Sequence, residues 1–372
     1  MDIAAAQRRG LAAVVLAAAA WVPTGPVSAP SAAPAVSVTT AVRGLSHPWD
    51  IAFTADRAML FTQRGGVIAV RLPDGTVRAL RADLSDLLVS GETGLMGLVA
   101  DPGFASNRRV YTCQGHAGRS RDIRVVAWRV GRDYSALERL TTVVSGIPVT
   151  SGQHGGCRLR FDRTGALHIG TGDATVGTNP QDLRSLGGKT LRVRPDGTVP
   201  PDNPFARAAD PRTRLVYTYG HRNVQGMALR PGTGQMWAVE HGPDVDDEVN
   251  VLVAGRNYGW DPVPGYNQRA PMTDLRKFPH AVRARWSSGQ RTVATSGAAF
   301  LGAKWGSWRG GIVVVALKGS EILVLSPGGR LLVVLRPGYG RLRAAQLGPD
   351  GDLYVSTDNG SDDRVLRLTP RG

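Results

Sequence analysis

The sequence predicts an all-β fold, a six-bladed β-propeller of four-stranded antiparallel blades, on three observations. One strand–turn–strand phrase recurs six times along the chain, turns rich in Pro, Asp and Gly divide it, and long helical periodicity is nearly absent. The first three copies are IAFTADRAMLFTQRGG from Ile51, GLVADPGFASNRRVYTCQG from Gly97 and LRFDRTGALHIGTGDA from Leu159. MALRPGTGQMWAVEHGP from Met227, AAFLGAKWGSWRGGIVVVALKG from Ala298 and AQLGPDGDLYVSTDNG from Ala345 complete the set. Their equivalent apolar positions, Phe53, Ala100, Phe161, Leu229, Phe300 and Leu347, stand 47 to 71 residues apart, room for four strands and variable loops. Pro73-Asp74-Gly75, Pro195-Asp196-Gly197 and Pro349-Asp350-Gly351 supply the tight reversals that antiparallel strands need. Segment 37–42, SVTTAV, is a further strand, expected to close the ring by pairing with the last blade and so protect its edges. A β-sandwich or a two-domain all-β protein competes, but six copies spread over the whole chain favour the ring.

Composition narrows the class. The 372 residues are 42% hydrophobic, enough for a globular core. The formal charge of +15 is almost wholly arginine, with four lysines in the chain. No nucleic-acid module accompanies it, so it reads as a solvated basic surface that helps to attract an anionic ligand. At the N-terminus Arg8-Arg9 precedes LAAVVLAAAAWV and a small-residue and proline stretch ending near Pro34. We expect residues 1–35 to be a signal peptide and leader, exported by the general secretory or the twin-arginine route, and residues 36–372 to be one propeller domain. The apolar run falls short of the roughly 20 residues of a membrane helix, so we expect no membrane span and a bacterial secreted or periplasmic protein. An exported chain whose two cysteines are Cys113 and Cys157 is expected to pair them.

Polar clusters flank the repeated strands. Ser151-Gly152-Gln153-His154-Gly155-Gly156 sets a histidine among glycines that leave room for a ligand, and histidine is the general base available near neutral pH. Tyr219-Gly220-His221-Arg222-Asn223 joins a guanidinium to a carboxamide, a pair suited to carbonyl or carboxylate groups. Glu240-His241-Gly242-Pro243-Asp244-Val245-Asp246-Asp247-Glu248, followed by Asn257-Tyr258-Gly259-Trp260, offers the oxygen ligands calcium takes, without EF-hand spacing. Lys318 follows an apolar strand, and Arg341 and Arg343 stand two apart, on one face of a strand by alternation. From these residues alone a turn histidine, ordinary salt bridges and solvated charges are equally open.

Taken together the segments resemble the glucose/sorbosone dehydrogenase family, the soluble aldose sugar dehydrogenases that use pyrroloquinoline quinone (PQQ). The likeness runs over residues 40–370 through GETGLMGLVADPGF, HGGCRLRF, GGKTLRVRPDGTVPPDNPF, YGHRNVQGMAL, EHGPDVDDEVN, GRNYGW, ALKG and RLRAAQLGPDGDLYV. It implies that His154 is the catalytic base and that Arg222 with Asn223 stands beside the reactive quinone carbonyl. It further implies that Lys318, Arg341 and Arg343 face the cofactor's carboxylates, and that the carbonyls of Gly242 and Pro243 bind a calcium ion touching PQQ. Glu248 and the carbonyl of Tyr258 match a second, structural calcium site. The implied reaction removes the proton of the anomeric hydroxyl to His154 while hydride leaves C1 of the sugar for the quinone, giving a lactone; the electron acceptor carries no signature. Three positions depart from the family pattern: Glu92 stands where Gln is usual, Cys157 replaces a glycine and Ala344 replaces an aspartate. A Glu92 carboxylate facing a tricarboxylate cofactor is expected to be protonated or turned toward a cation, and a Cys113–Cys157 bond would brace the strand bearing His154. A calcium-dependent lactonase and a non-catalytic sugar- or envelope-binding propeller are the alternative readings of the same ring.

Overall fold

The computed structural model describes residues 34–371, so nearly all of the expected leader lies outside the described residues. Six four-stranded antiparallel sheets follow one another along the chain, as the repeats require. Each repeated phrase forms the two innermost strands of a blade: Pro48–Phe53 with Met59–Gln63, Leu95–Ala100 with Arg109–Ala117, and Gly156–Phe161 with Leu167–Thr171. Val224–Leu229 with Met236–Glu240, Thr295–Phe300 with Ile312–Ala316, and Leu342–Leu347 with Leu353–Thr357 complete the inner ring. The sixth blade takes its outermost strand from the start of the chain: Ala35–Leu45 pairs with Asp363–Arg371, with Ala35 opposite Arg371. The expected closing strand is therefore present and longer than the segment 37–42.

Apolar burial is divided among the joints between blades. Six buried clusters form, one for each junction of neighbouring blades; Leu60, Val70, Leu98 and Trp128 meet between blades 1 and 2, and Val313, Val324, Leu353 and Leu366 between blades 5 and 6. Alternating strands present one apolar row to each neighbouring sheet, which is why both faces of the inner strands are buried. Cys113 and Cys157 form a disulfide that ties the second strand of blade 2 to the innermost strand of blade 3.

The channel, by contrast, is polar. Each innermost strand shifts register near its start, at Pro48/Asp50, Leu95/Leu98, Gly156/Arg158, Val224/Gly226, Thr295/Ala298 and Leu342/Ala344. Such bulges re-aim the side chains beside them. Trp49 thereby lies between the guanidiniums of Arg158, 4.2 Å from its ring centroid, and Arg343, at 5.7 Å. Arg158 is fully buried with Asp50 at 2.5 Å. Arg343, on the innermost strand of the sixth blade, donates to Asp358 and Gln225. Among the described residues no helix is long and apolar enough to cross a membrane.

Candidate active site

One polar cavity is lined mainly by two kinds of loop, those entering an innermost strand and those leaving the second strand, and both kinds open on the same end of the ring. The first kind supplies His47, Glu92, His154, Arg222, Thr292 and Arg341; the second supplies Arg64, His241 to Asp244, Lys318 and Asp358. The cavity has a volume of about 420 Å³, in the range of small-molecule sites. It brings together Glu92, His154, Arg222, Gly242, Pro243, Lys318, Arg341 and Arg343 of the expected residues. Arg341 and Arg343 reach it differently from the alternation expected: Arg341 precedes the strand and is exposed, whereas Arg343 sits buried at the bulge. Asn223 lies behind the wall, its Oδ1 accepting from Gly156 N at 3.1 Å, so that it fixes the segment after His154. Glu248 and Tyr258 belong to a separate buried cluster.

His154 is held in place from below. Gly152, at φ +88°, lets the chain pass where a Cβ would meet the carbonyl of Ser90 at 1.9 Å, and His154 itself takes φ +53°. The His154 Nδ1 stands 2.8 Å from Asp173 Oδ1 and 3.0 Å from the Tyr266 hydroxyl. Tyr266 donates to Asp173 Oδ2 at 2.7 Å, as does Trp260 Nε1 at 2.8 Å, and Thr175 N donates to Oδ1. A carboxylate collecting these donors accepts the remaining proton from His154 Nδ1, which leaves Nε2 with its lone pair. Burial and Asp173 push the Tyr266 hydroxyl above its ordinary range, so it stays a donor. Asp173, Tyr266 and Trp260 were not singled out from sequence. Asp173 closes the third repeat, as Glu240 and Asp358 stand at or just after the second strands of theirs, and that position was the available signal; Tyr266 has none.

Five cationic side chains, Arg64, Arg222, Lys318, Arg341 and Arg343, face three carboxylates, Glu92, Asp244 and Asp358. Asp358 is paired with Arg343 at 2.6 Å and with His47 at 2.5 Å. Glu92 Oε2 accepts from the backbone N of His154 at 3.3 Å, so this carboxylate turns to an N–H. Two buried donors at or behind the wall make no hydrogen bond among the described residues: Arg222 Nε and Asn223 Nδ2. Burial, with Arg343 and Arg222 nearby, holds His241 neutral by drawing its pKa well down. Unsatisfied buried donors on a cationic cavity are complementary to a polyanion rich in acceptors.

Two places suit a divalent cation. Gly242 and Pro243 line the cavity, and their carbonyls accept no hydrogen bond from a described residue. Their loop is clamped by Asp247, which accepts from Gly242 N at 3.0 Å and from Val293 N and Ala294 N. A Cβ on Gly242 would lie 1.9 Å from the Val245 carbonyl. Away from the cavity, Asn250 Nδ2 bridges Glu240 and Glu248, and Asn250 Oδ1 is buried without a donor. Burial and the neighbouring Glu240 raise the Glu248 carboxyl well above its ordinary value, the signature of an anionic cluster short of positive charge.

Known proteins are similar to this chain in sequence and fold. The glucose/sorbosone dehydrogenase family pattern matches residues 45–367. The chain is 34% identical to the Escherichia coli K12 aldose sugar dehydrogenase YliI over 359 residues, 91% of this chain and 95% of that one. Among solved structures it is similar to the apo form of the soluble aldose sugar dehydrogenase of Escherichia coli, with a TM-score of 0.82 and 31% identity over 91% of this chain and 100% of that one. The PQQ-bound aldose sugar dehydrogenase of Streptomyces coelicolor matches with a TM-score of 0.77 and 30% identity over 92% and 100% of the two chains.

Proposed function

The chain belongs to the glucose/sorbosone dehydrogenase family, and from that premise we propose that it oxidises an aldose-type sugar at C1 to the lactone, using PQQ and calcium. The observation that carries this reading is the His154–Asp173–Tyr266 arrangement opening its Nε2 lone pair onto a cationic cavity with unsatisfied buried donors.

The residues fit the cofactor. PQQ is a flat tricarboxylate with quinone oxygens; Lys318, Arg341, Arg343 and Arg64 match its carboxylates, Arg222 is a donor for a carbonyl, and Asn223 behind the wall orients the segment after His154. The free carbonyls of Gly242 and Pro243 would hold a calcium ion beside it, while Glu248, Asn250 and the carbonyl of Tyr258 suit a second ion that relieves the buried carboxylates. When bound, PQQ supplies the two-electron acceptor for the hydride of C1, and calcium supplies Lewis-acid charge next to it.

This chain's residues do the rest. His154 Nε2 takes the proton of the anomeric hydroxyl, and the charge that arises on the imidazole is met by Asp173. Tyr266 and Trp260 keep Asp173 from rotating away. Arg222 is held by His241 O and Gln268 Oε1 at 3.2 and 3.1 Å, so its charge is fixed before substrate arrives. Glu92 has one carboxylate oxygen, Oε2, engaged by the His154 backbone N–H.

Titration of the purified apoprotein with PQQ and calcium, followed by dye reduction on a panel of aldoses, tests the reading. Stoichiometric PQQ binding with sugar-dependent dye reduction is expected. Absence of both overturns it, and lactone hydrolysis without PQQ selects the lactonase alternative.

A further inference from the structure

Lys189 opens the third strand of blade 3 and is fully buried, yet no carboxylate among the described residues lies within ion-pair distance of it. A buried ammonium without an anion is costly unless its three protons are all used. Here they are. The Nζ donates to the carbonyls of Asn179, Pro180 and Gly187 at 2.5, 3.1 and 2.8 Å.

These carbonyls are junctions. Asn179 reaches back through Nδ2 to the carbonyl of Asp173 at 2.8 Å. The carbonyl of Pro180 also accepts from Gly220 N at 2.9 Å, two residues before Arg222. Next to Gly187, Gly188 N bonds the carbonyl of Gly172 and its own carbonyl accepts from His221 N. The two segments finally meet where Asp173 N donates to the carbonyl of Arg222 at 2.8 Å.

We propose that Lys189 is a positioning residue whose ammonium, coordinated by carbonyls as a bound metal cation would be, fixes the loop presenting Asp173 against the segment presenting Arg222. Asp173 then sets the ring of His154, so a group outside the cavity controls the geometry inside it. The kinetic consequence rests on the function proposed above; the structural consequence stands without it. Burial draws the Lys189 pKa down to about 7, against the nearby charges of Asp182 and Asp173, so the three-proton form is one that the surroundings must hold in place.

The test uses Lys189→Met, which keeps length and volume and removes the charge, and Asn179→Ala, which cuts the link to Asp173 and leaves the lysine. The ¹⁵N shifts of the His154 ring in the apoprotein report its tautomer. Both variants are expected to mix the tautomers. With PQQ and calcium, kcat is expected to fall at least tenfold with KM within about threefold, the pattern of a displaced reacting group rather than of lost binding. A folded Lys189→Met protein with the wild-type ring shifts overturns the proposal. Should that variant fail to fold, ¹⁵N spectra of the wild-type lysine side chains decide it. Slow proton exchange with couplings to the three carbonyl carbons supports the proposal; fast exchange without them overturns it. A protein that binds no PQQ would defeat the proposed function, while the ring shifts would still report on Lys189.

Discussion

The two walls of the cavity are built on opposite terms. On the side of blades 3 and 4, His154, Asp173, Tyr266, Trp260 and Arg222 are buried or nearly so and bonded to one another or to the backbone. On the side of blades 5, 6 and 1, Arg343, Asp358 and His47 are paired with one another, but Lys318 and Arg341 are exposed, Arg64 is half-buried, and none of these last three side chains makes a hydrogen bond among the described residues. The first wall has already lost its conformational freedom during folding, and the second loses it when a ligand arrives. Geometry-sensitive chemistry is thus expected on the fixed wall, and charge recognition on the loose one.

Removing the base should give the largest effect. His154→Gln is expected to lower kcat by about 10³-fold, within the usual span of a general base, and Asp173→Asn by about 10²-fold, with PQQ affinity nearly unchanged in both. Dye-reduction kinetics and PQQ titration separate the two quantities; a large loss of PQQ affinity with unchanged kcat would reverse the assignment of the walls. Next in size is the disulfide beneath the fixed wall. Replacing Cys113 and Cys157 together by Ala should cost roughly 2–4 kcal/mol in urea unfolding, given the 44 residues the bond spans. The loose wall should respond more gently: Lys318→Ala or Arg341→Ala is expected to weaken PQQ binding about tenfold, more at low salt than at high, with kcat of the loaded enzyme kept.

The smallest effect is on acid stability. Burial by itself would raise the Asp358 carboxyl, but Arg343 and then His47 outweigh it and hold the pKa below the ordinary value. A carboxylate lowered in this way contributes its stability in full above about pH 4 and loses it as the pH falls through the folded value. Carboxyl ¹³C titration alongside urea midpoints measured from pH 7 to pH 3 checks the sign; an Asp358 that titrates above its ordinary value would contradict it.

The ring itself was readable because alternation of apolar and polar residues is a property of neighbouring positions, and each repeated phrase carried two such strands. The bulges were not readable, since a one-residue slip leaves the composition unchanged, and so Arg341 and Arg343 look like one face of a strand when only Arg343 belongs to it. His154 and Arg222 are legible because they stand five residues before a repeated phrase, and Lys318 because it stands at the end of one. Asp173 had the same address and the letters TGDA drew no notice. Tyr266 lies 112 residues from the histidine it touches, in a loop without periodicity, and only folding brings the two together. The fit of Glu92 was likewise invisible, because its donor is a backbone N–H.

The outermost strand of the sixth blade has a consequence for how the molecule is made. Because Ala35–Leu45 waits for Asp363–Arg371, the final junction forms between the earliest and the latest described parts of the chain. Contacts of such long sequence separation come late and slowly, so a chain still on the ribosome would carry an incomplete sixth sheet until the last residues emerge. The same adjacency of beginning and end means that the order of blades along the chain is a matter of where the gene starts. A permuted chain, joined near residues 35 and 371 and opened in a loop between two other blades, should rebuild the same circle.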